Sequence, residues 1–576
     1  CLSVATVAQA QTSSPEPAEA PRAPRFRNDA LVSDYSADLL RDLPTADNLF
    51  NLIDVLQPSI IGDRFAGAGL SVGQPGRLGG FLTSWTQSLF SIDGVQFSDP
   101  SGSGAAMLWP ELLLWQKVRV TTGAFAADNG AQGLSIDLAP PTPGDAWRTL
   151  VEGVTSHGGM NLDGSGNALK PIARPTGYDR VAFTASGPLS AGTGATIAFS
   201  RTQGTERNRF DATNATGRVT SGFGQLLFGA GTRNEVRVLG WGQQTTTPFE
   251  FRQIIGATGD ETPTSTGGHG QVAWTHTRSA SSRLLVNGSY SVRKDAFDGV
   301  LADAGISERL AYGPMTQFAA LANRTVRTWS GALRFEQAVG GGRHRLAVGA
   351  QGQGGQLLSS SPFTGTIGEL VAGTPARVWK FSAPAGSSDR NTTLLAGYVE
   401  DRFSRGTRLD VVAGLRVEAV SGSARSASDS VSWFSLLPRA RATFHVSPRF
   451  DLFGSYTRSA QRLTLDTLAW GDPAAPTAAV YRWTAAAGAS PSLSALGAQI
   501  TTMGPGTGAG ATPLTTLDPA LARPYADEYS FGFDTRPVQG GLIRLAGIAR
   551  REQRLMGLVN VGNPAYTTAT VADPGP

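Results

Sequence analysis

The sequence is poor in cysteine, histidine and charge, and it has no long apolar run. The one cysteine among 576 residues is Cys1. It precedes a short apolar stretch, residues 2–8, that runs into Ala8-Gln9-Ala10. This is the A-x-A spacing of a signal-peptide cleavage site, met without an initiator Met or a basic leader. Residues 1–10 therefore read as a signal-peptide remnant of an exported protein, in preference to a lipoprotein acylated at Cys1. The mature chain then has no disulfide or thiol chemistry. The five histidines, His157, His269, His276, His344 and His445, show no metal-ligand spacing. There is no nucleophile elbow, P-loop or dinucleotide fingerprint. The expectation is no catalytic residue, no metal and no cofactor. Charged residues make up 16%, against about 25% in ordinary soluble domains. The net charge of +4 is scattered, which leaves no basic patch for nucleic acid. No segment reaches the ~20 apolar residues of a membrane-spanning helix.

What the sequence does have is glycine, at 71 residues, and strands of period two. In residues 408–420, Leu409, Val411, Ala413, Leu415, Val417 and Ala419 share one face. Arg408, Asp410, Arg416 and Glu418 share the other. Residues 283–293 and 329–336 alternate in the same way. Each such strand has one apolar and one polar face. A lipid-facing Arg or Lys costs roughly 2–4 kcal/mol at the bilayer midplane, so the charged faces must line a lumen. Mean hydropathy of -0.12 fits a barrel that hides half of each strand in this way.

Connections separate a barrel from a soluble sandwich. About fifteen strands are expected past residue 146. Their connections alternate. Short ones fall near Ser190, Gly231, Ala280, Gly340, Gly406, Pro448 and Gly540, and long ones at 160–176, 203–218, 244–268, 295–326, 354–391 and 460–523. Short turns on one side and long loops on the other are the pattern of a transmembrane β-barrel. Trp241, Trp274, Trp329, Tyr398 and Tyr456 are expected in its interfacial girdles. Ahead of the barrel, residues 11–30 read as a Pro- and Ala-rich flexible periplasmic linker. Residues 45–57 read as a helix capped by Thr45, and the rest of 31–145 as a small α+β domain.

Two segments carry a family resemblance. Residues 88–100 read SLFSIDGVQFSDP and residues 109–140 read WPELLLWQKVRVTTGAFAADNGAQGLSIDLAP. They resemble the plug domain of TonB-dependent outer-membrane receptors, with Asp93, Gly94, Gly123, Gly130 and Gly133 as its signature positions. The sequence departs from the family at Arg119 and Thr122, where a Glu and an Arg usually lock the plug to the barrel. Residues 522–550 resemble a barrel hairpin of the branch that often carries a carboxypeptidase-regulatory-like domain. The resemblance implies an all-β outer-membrane protein of a Gram-negative-type bacterium, with plug 31–145 and barrel 146–576. Because such barrels have about 22 strands, the chain is read as a fragment truncated at both ends. The implied function is TonB-dependent transport of a scarce or bulky ligand: a siderophore, vitamin, saccharide or peptide. A surface-binding or adhesion protein is the alternative. The implied partners are the TonB complex, outer-membrane lipid and an unidentified ligand. Gln74, Arg77, Gln96 and Asp99 are the expected ligand-facing plug residues. Leu31 and Val32 are the expected TonB contact.

Overall fold

The computed structural model describes residues 31–36, 48–57, 59–62, 72–73, 75–80, 82–157, 173–208, 214–247, 254–255, 263–297, 304–309, 322–360, 362–371, 373–382, 387–425, 427–484, 493–505, 515–537 and 543–559. Two bodies are built from them.

The first is a small α+β unit. Its strands are β1 (Val32–Ser36), β2 (Leu89–Ile92), β3 (Val95–Gln96), β4 (Lys117–Thr121) and β5 (Ser135–Ala139), in the order β1-β4-β5-β2-β3. Strand β2 runs parallel to β5, and the other pairs are antiparallel. Asp93 and Gly94 turn β2 into β3 with φ of 51° and 78°, the left-handed pair that a two-residue hairpin requires. Helix α1 (Leu49–Leu56) lies alongside. It starts later than expected. Asn48, not Thr45, caps it, and its side chain accepts hydrogen bonds from the Phe50 and Asn51 amides. A bridge to Glu111 holds Asn48 in extended backbone, so the helix cannot begin earlier. Thr45 lies outside the described residues. Leu49, Leu52 and Ile53 are buried against Phe90, Phe97 and Trp109 in one core.

The second body is a fifteen-stranded antiparallel sheet in simple sequence order. Its strands are β6 (Arg148–His157), β7 (Ala173–Ser190), β8 (Thr193–Asn208), β9 (Ala215–Phe228), β10 (Asn234–Thr246), β11 (Thr264–Ser279), β12 (Ser282–Ala296) and β13 (Asn323–Val339). They continue with β14 (His344–Ser360), β15 (Ser388–Arg405), β16 (Leu409–Ala424), β17 (Ser430–Ser447), β18 (Phe450–Ala460), β19 (Tyr525–Thr535) and β20 (Ile543–Gln553). Strand parity sorts the side chains. On β16 Leu415 is exposed outward, while Arg416 and Glu418 are buried inward. On β13 Trp329, Leu333 and Phe335 face out, and Arg334 reaches the plug. The short turns fall where expected at 191–192, 280–281, 340–343, 406–408 and 448–449; the one near Gly540 lies outside the described residues.

Two of the expected girdle residues are corrected. Trp241 and Tyr398 are buried inside. They share strand parity with lumenal Gln243 and Glu400, and parity overrides aromatic preference for the interface. Trp274 and Trp329 do face outward.

Strands such as β15, at 18 residues, exceed the ~9–11 that a tilted strand needs to cross a bilayer. Their outer ends carry a further six-stranded sheet, formed by Ile254–Ile255, Ala304–Arg309, Thr366–Val371, Thr374–Ser382, Thr477–Trp483 and Leu496–Met503. The regions expected to be plain outer loops thus pool their strands. Within that sheet Glu369 is fully buried, paired to Arg377 at 2.6 Å and accepting from the Trp379 indole at 3.1 Å. A short helix, α2 (Leu465–Leu468), folds from the same side onto the top of the plug.

Candidate functional site: the plug, its apex and the barrel wall

The α+β body sits within the sheet of the barrel, and its contacts show where. Between β4 and β5 a loop carries three of the signature glycines. A side chain at Gly123 would start 2.6 Å from Glu528 Oε1, one at Gly130 3.3 Å from Arg416 Nη2, and one at Gly133 2.8 Å from Thr83 Cβ. At 133 a Cβ would press on Thr83 and Gln87 of the plug itself, and at 123 it would have to displace the ends of the Glu528 and Leu31 side chains.

Wall and loop are then joined by charge-assisted hydrogen bonds. Glu400 accepts from the Ala127 amide at 2.7 Å. Arg416 donates to the Ala127 and Asp128 carbonyls at 3.3 and 3.4 Å. Arg439 donates to the carbonyls of Ala126 and of Asn129, the latter at 2.6 Å. Gln351 donates to Asp128 O at 2.8 Å, and Arg334 pairs with the Asp128 carboxylate. Further round, Arg550 donates to Gln132 O at 2.8 Å and to Gln87. Arg416 is itself held by Glu418 at 2.6 Å, which also binds Arg523 at 2.6 Å. The lock that Arg119 and Thr122 do not supply is therefore made by barrel side chains on plug backbone. Arg119 instead pairs with Asp34 at 2.7 Å, tying β1 to β4.

The other expected site residues are dispersed. Asp93 pairs with Arg237 at 3.2 Å. Gly94 donates its amide to Asp137 at 2.8 Å. Gln96 lies on β3, with its amide nitrogen buried and unpartnered. Arg77 is half-buried beside Leu78–Gly79, and Gln74 lies outside the described residues. Asp99 alone of this group reaches the apex. Burial would raise its carboxyl, but Arg293, at 2.8 Å, and Arg324 outweigh that and hold it well below the usual range. Leu31 and Val32 begin β1. Leu31 O accepts from Thr122 N at 2.9 Å, and Val32 pairs with Thr121 at the edge of the plug sheet.

Above Asp99 lies a small, partly open pocket. Plug residues 98–104 form its floor, β14 to β16 its side, and Arg462, Leu463 and Thr464 its roof. Leu465 and Asp466 of α2 donate their amides to Pro100 O and Ser101 O at 3.0 and 3.1 Å, which partly covers it from outside. Its volume, about 40 Å3, suits a few waters or one small polar group. Arg462 is half-buried, donates to Gln353 at 3.2 Å and makes no ion pair among the described residues. Burial lowers its guanidinium to about 10; Glu418 opposes this, and Arg416 and Arg523 add to it. Sequence reading missed Arg462 because nothing in its own segment marks it.

Residues 194–548 match the family model described as TonB dependent receptor-like, beta-barrel. The chain belongs to the TonB-dependent receptor family. No curated protein sequence matches it. Among solved structures it is similar to the outer membrane transporter YddB from Escherichia coli, with 13% identity, TM-score 0.59, and coverage of 88% of this chain and 67% of that one. It is also similar to a mutant of the ferric enterobactin receptor PfeA from Pseudomonas aeruginosa, at 13% identity and TM-score 0.61, covering 91% and 71%. The siderophore receptor PirA from Acinetobacter baumannii gives 14%, 0.60, 88% and 68%. At such identities the likeness is one of fold. Family and fold together make this TonB-dependent receptor an outer-membrane β-barrel that carries a plug-like N-terminal unit.

Proposed function

We propose that the chain is an active transporter that carries a scarce or bulky hydrophilic ligand inward across the outer membrane, powered through TonB. The observation that carries this reading is the occupied lumen. A barrel whose interior is packed with its own plug is not a passive pore, and opening it requires work from a partner. The edge strand β1 supports the location of that partner. Leu31 and Val32 lie at the start of a strand with one neighbour among the described residues, and TonB would engage this end by adding a strand.

Arg462 supports the ligand chemistry. A half-buried guanidinium with no ion pair among the described residues is compensated when an anionic oxygen of the ligand reaches it. Two of the solved relatives are named as receptors for ferric enterobactin and for siderophores, so an iron chelate is the first ligand to try. The test is accumulation of radiolabelled ferric enterobactin by iron-starved cells producing the protein, with and without a proton uncoupler. Accumulation abolished by the uncoupler supports the proposal. Binding that is insensitive to it supports instead a surface-binding protein, the reading favoured by the separate outer sheet. Arg462→Gln should weaken binding, and Val32→Pro should stop uptake while binding persists.

A further inference from the structure

Among the described residues, ring-on-ring contacts between plug and wall are confined to one arc of the barrel, and on a second arc charged and amide side chains grip the plug loop. On β10 and its neighbours the wall presents rings, set among hydrogen bonds from Gln243 to Trp109 O and from Gln271 to Ile92 O and the Arg237–Asp93 ion pair. Phe97 stacks on Trp241 at 5.4 Å and meets His269 edge-on at 5.0 Å. Trp115 packs against Phe223 at 6.2 Å and Trp241 at 5.6 Å. Leu108 lies over Gly267, where a Cβ would come within 2.5 Å of its methyl. On β13 to β17 the wall presents Arg334, Gln351, Glu400, Arg416 and Arg439, all directed at residues 126–129. Among the described residues no plug ring meets a wall ring on that arc.

The two arcs respond oppositely to water. Separating rings exposes apolar surface, and nothing replaces the lost contact. Separating a guanidinium from a carbonyl exchanges one hydrogen bond for another to water, and the freed charge regains hydration. The polar arc is therefore the side that parts first. The pocket lies on that side: its barrel residues are on β14, β15 and β16, and none is on β9 to β11.

We propose that the ligand crosses between the plug and the β13–β17 arc, while the plug stays seated on the ring-bearing arc. This rests on the transport reading above. The route is lined by Arg416, Arg439 and Glu400, so it suits a water-soluble ligand rich in hydrogen-bonding groups and disfavours an apolar one.

Two disulfide tethers test it, each in a Cys1→Ser background. Ala127→Cys with Gly414→Cys closes the polar arc, since a Cβ at position 414 would lie 2.9 Å from that of Ala127. Leu108→Cys with Gly267→Cys closes the ring arc. Each purified protein is placed in a planar bilayer, and potassium conductance is followed as urea is raised. The untethered protein and the ring-arc tether should open, whereas the polar-arc tether should stay silent until dithiothreitol restores conductance. A polar-arc tether that opens freely, a ring-arc tether that blocks, or an untethered protein that never conducts before the barrel unfolds would overturn the proposal. Hydrogen exchange of the untethered protein gives a second readout. Amides at 124–133 should exchange at lower urea than those at 107–115, and the reverse order refutes the route. Neither measurement needs TonB or a transported ligand, so failure of the transport reading remains distinguishable.

Discussion

Replacing Glu111 by glutamine should remove its share of the pH dependence of plug docking. Glu111 is only 4% exposed, and its carboxyl accepts from the Ser200 hydroxyl while the other oxygen has no partner. Burial pushes it up to about 7, against the 4.5 of an ordinary glutamate, and the Ser200 and Ser221 hydroxyls offset that only in part. Below pH ~4.5 the docked and undocked plug both hold the proton, and nothing is lost. Between there and about 7 only the docked plug keeps it, so docking weakens by ~1.4 kcal/mol per pH unit. The loss is complete above that window, at about 3 kcal/mol. Tryptophan fluorescence reads the transition, because Trp115 and Trp241 lie at the plug–wall contact. Between pH 5 and pH 8 the urea midpoint for plug release should fall in the parent protein relative to Glu111→Gln. All other groups are common to the two proteins and drop out of the comparison. Parallel pH profiles for the two proteins would refute the assignment.

Arg416→Met removes the donor to Ala127 and Asp128 and leaves Glu418 with Arg523 alone; it should loosen plug docking by ~1–3 kcal/mol, seen as faster hydrogen exchange at 124–133. Gly123→Ala places a methyl against Glu528 and Leu31, and should lower the urea midpoint of plug release while the barrel keeps its heat-resistant mobility in SDS gels. Arg377→Ala takes the ion pair from the fully buried Glu369 at a cost of ~3–5 kcal/mol, so limited proteolysis should cut the outer sheet faster. Replacing both residues by leucine should restore much of that resistance, and equal damage from the single and double changes would contradict this account.

The barrel was legible in the sequence because its signal is local. Leu415 and Arg416 are neighbours in the chain and point to opposite sides by the geometry of one strand. The Asp93-Gly94 turn was legible for the same reason: the residue types state the backbone angles. The lock was not. Arg439 and Asn129 are 310 positions apart, and no spacing within either segment announces that they meet. The outer sheet was hidden too. Its strands are as short as two residues, and β-pairs such as Ala304 with Thr366 depend on loops from different hairpins coming together.

The two misplaced aromatics sharpen this point about what alternation can say. Trp241 and Tyr398 look like interface residues by type and like lumenal residues by parity. In an empty, water-filled barrel an aromatic on the polar face would have little to pack against. Here Trp241 meets Phe97 and Trp115, and Tyr398 lies among Arg334, Arg416 and Asp128. An aromatic ring on the charged face of a barrel strand is therefore a sequence-level sign that something solid fills the lumen at that height. Where its same-face neighbours are uncharged, as Leu239 and Gln243 are beside Trp241, the filling is apolar; where they are acidic or basic, as on β15 and β16, it is held by charge. Read this way, strand parity alone separates the two arcs on which the plug is seated.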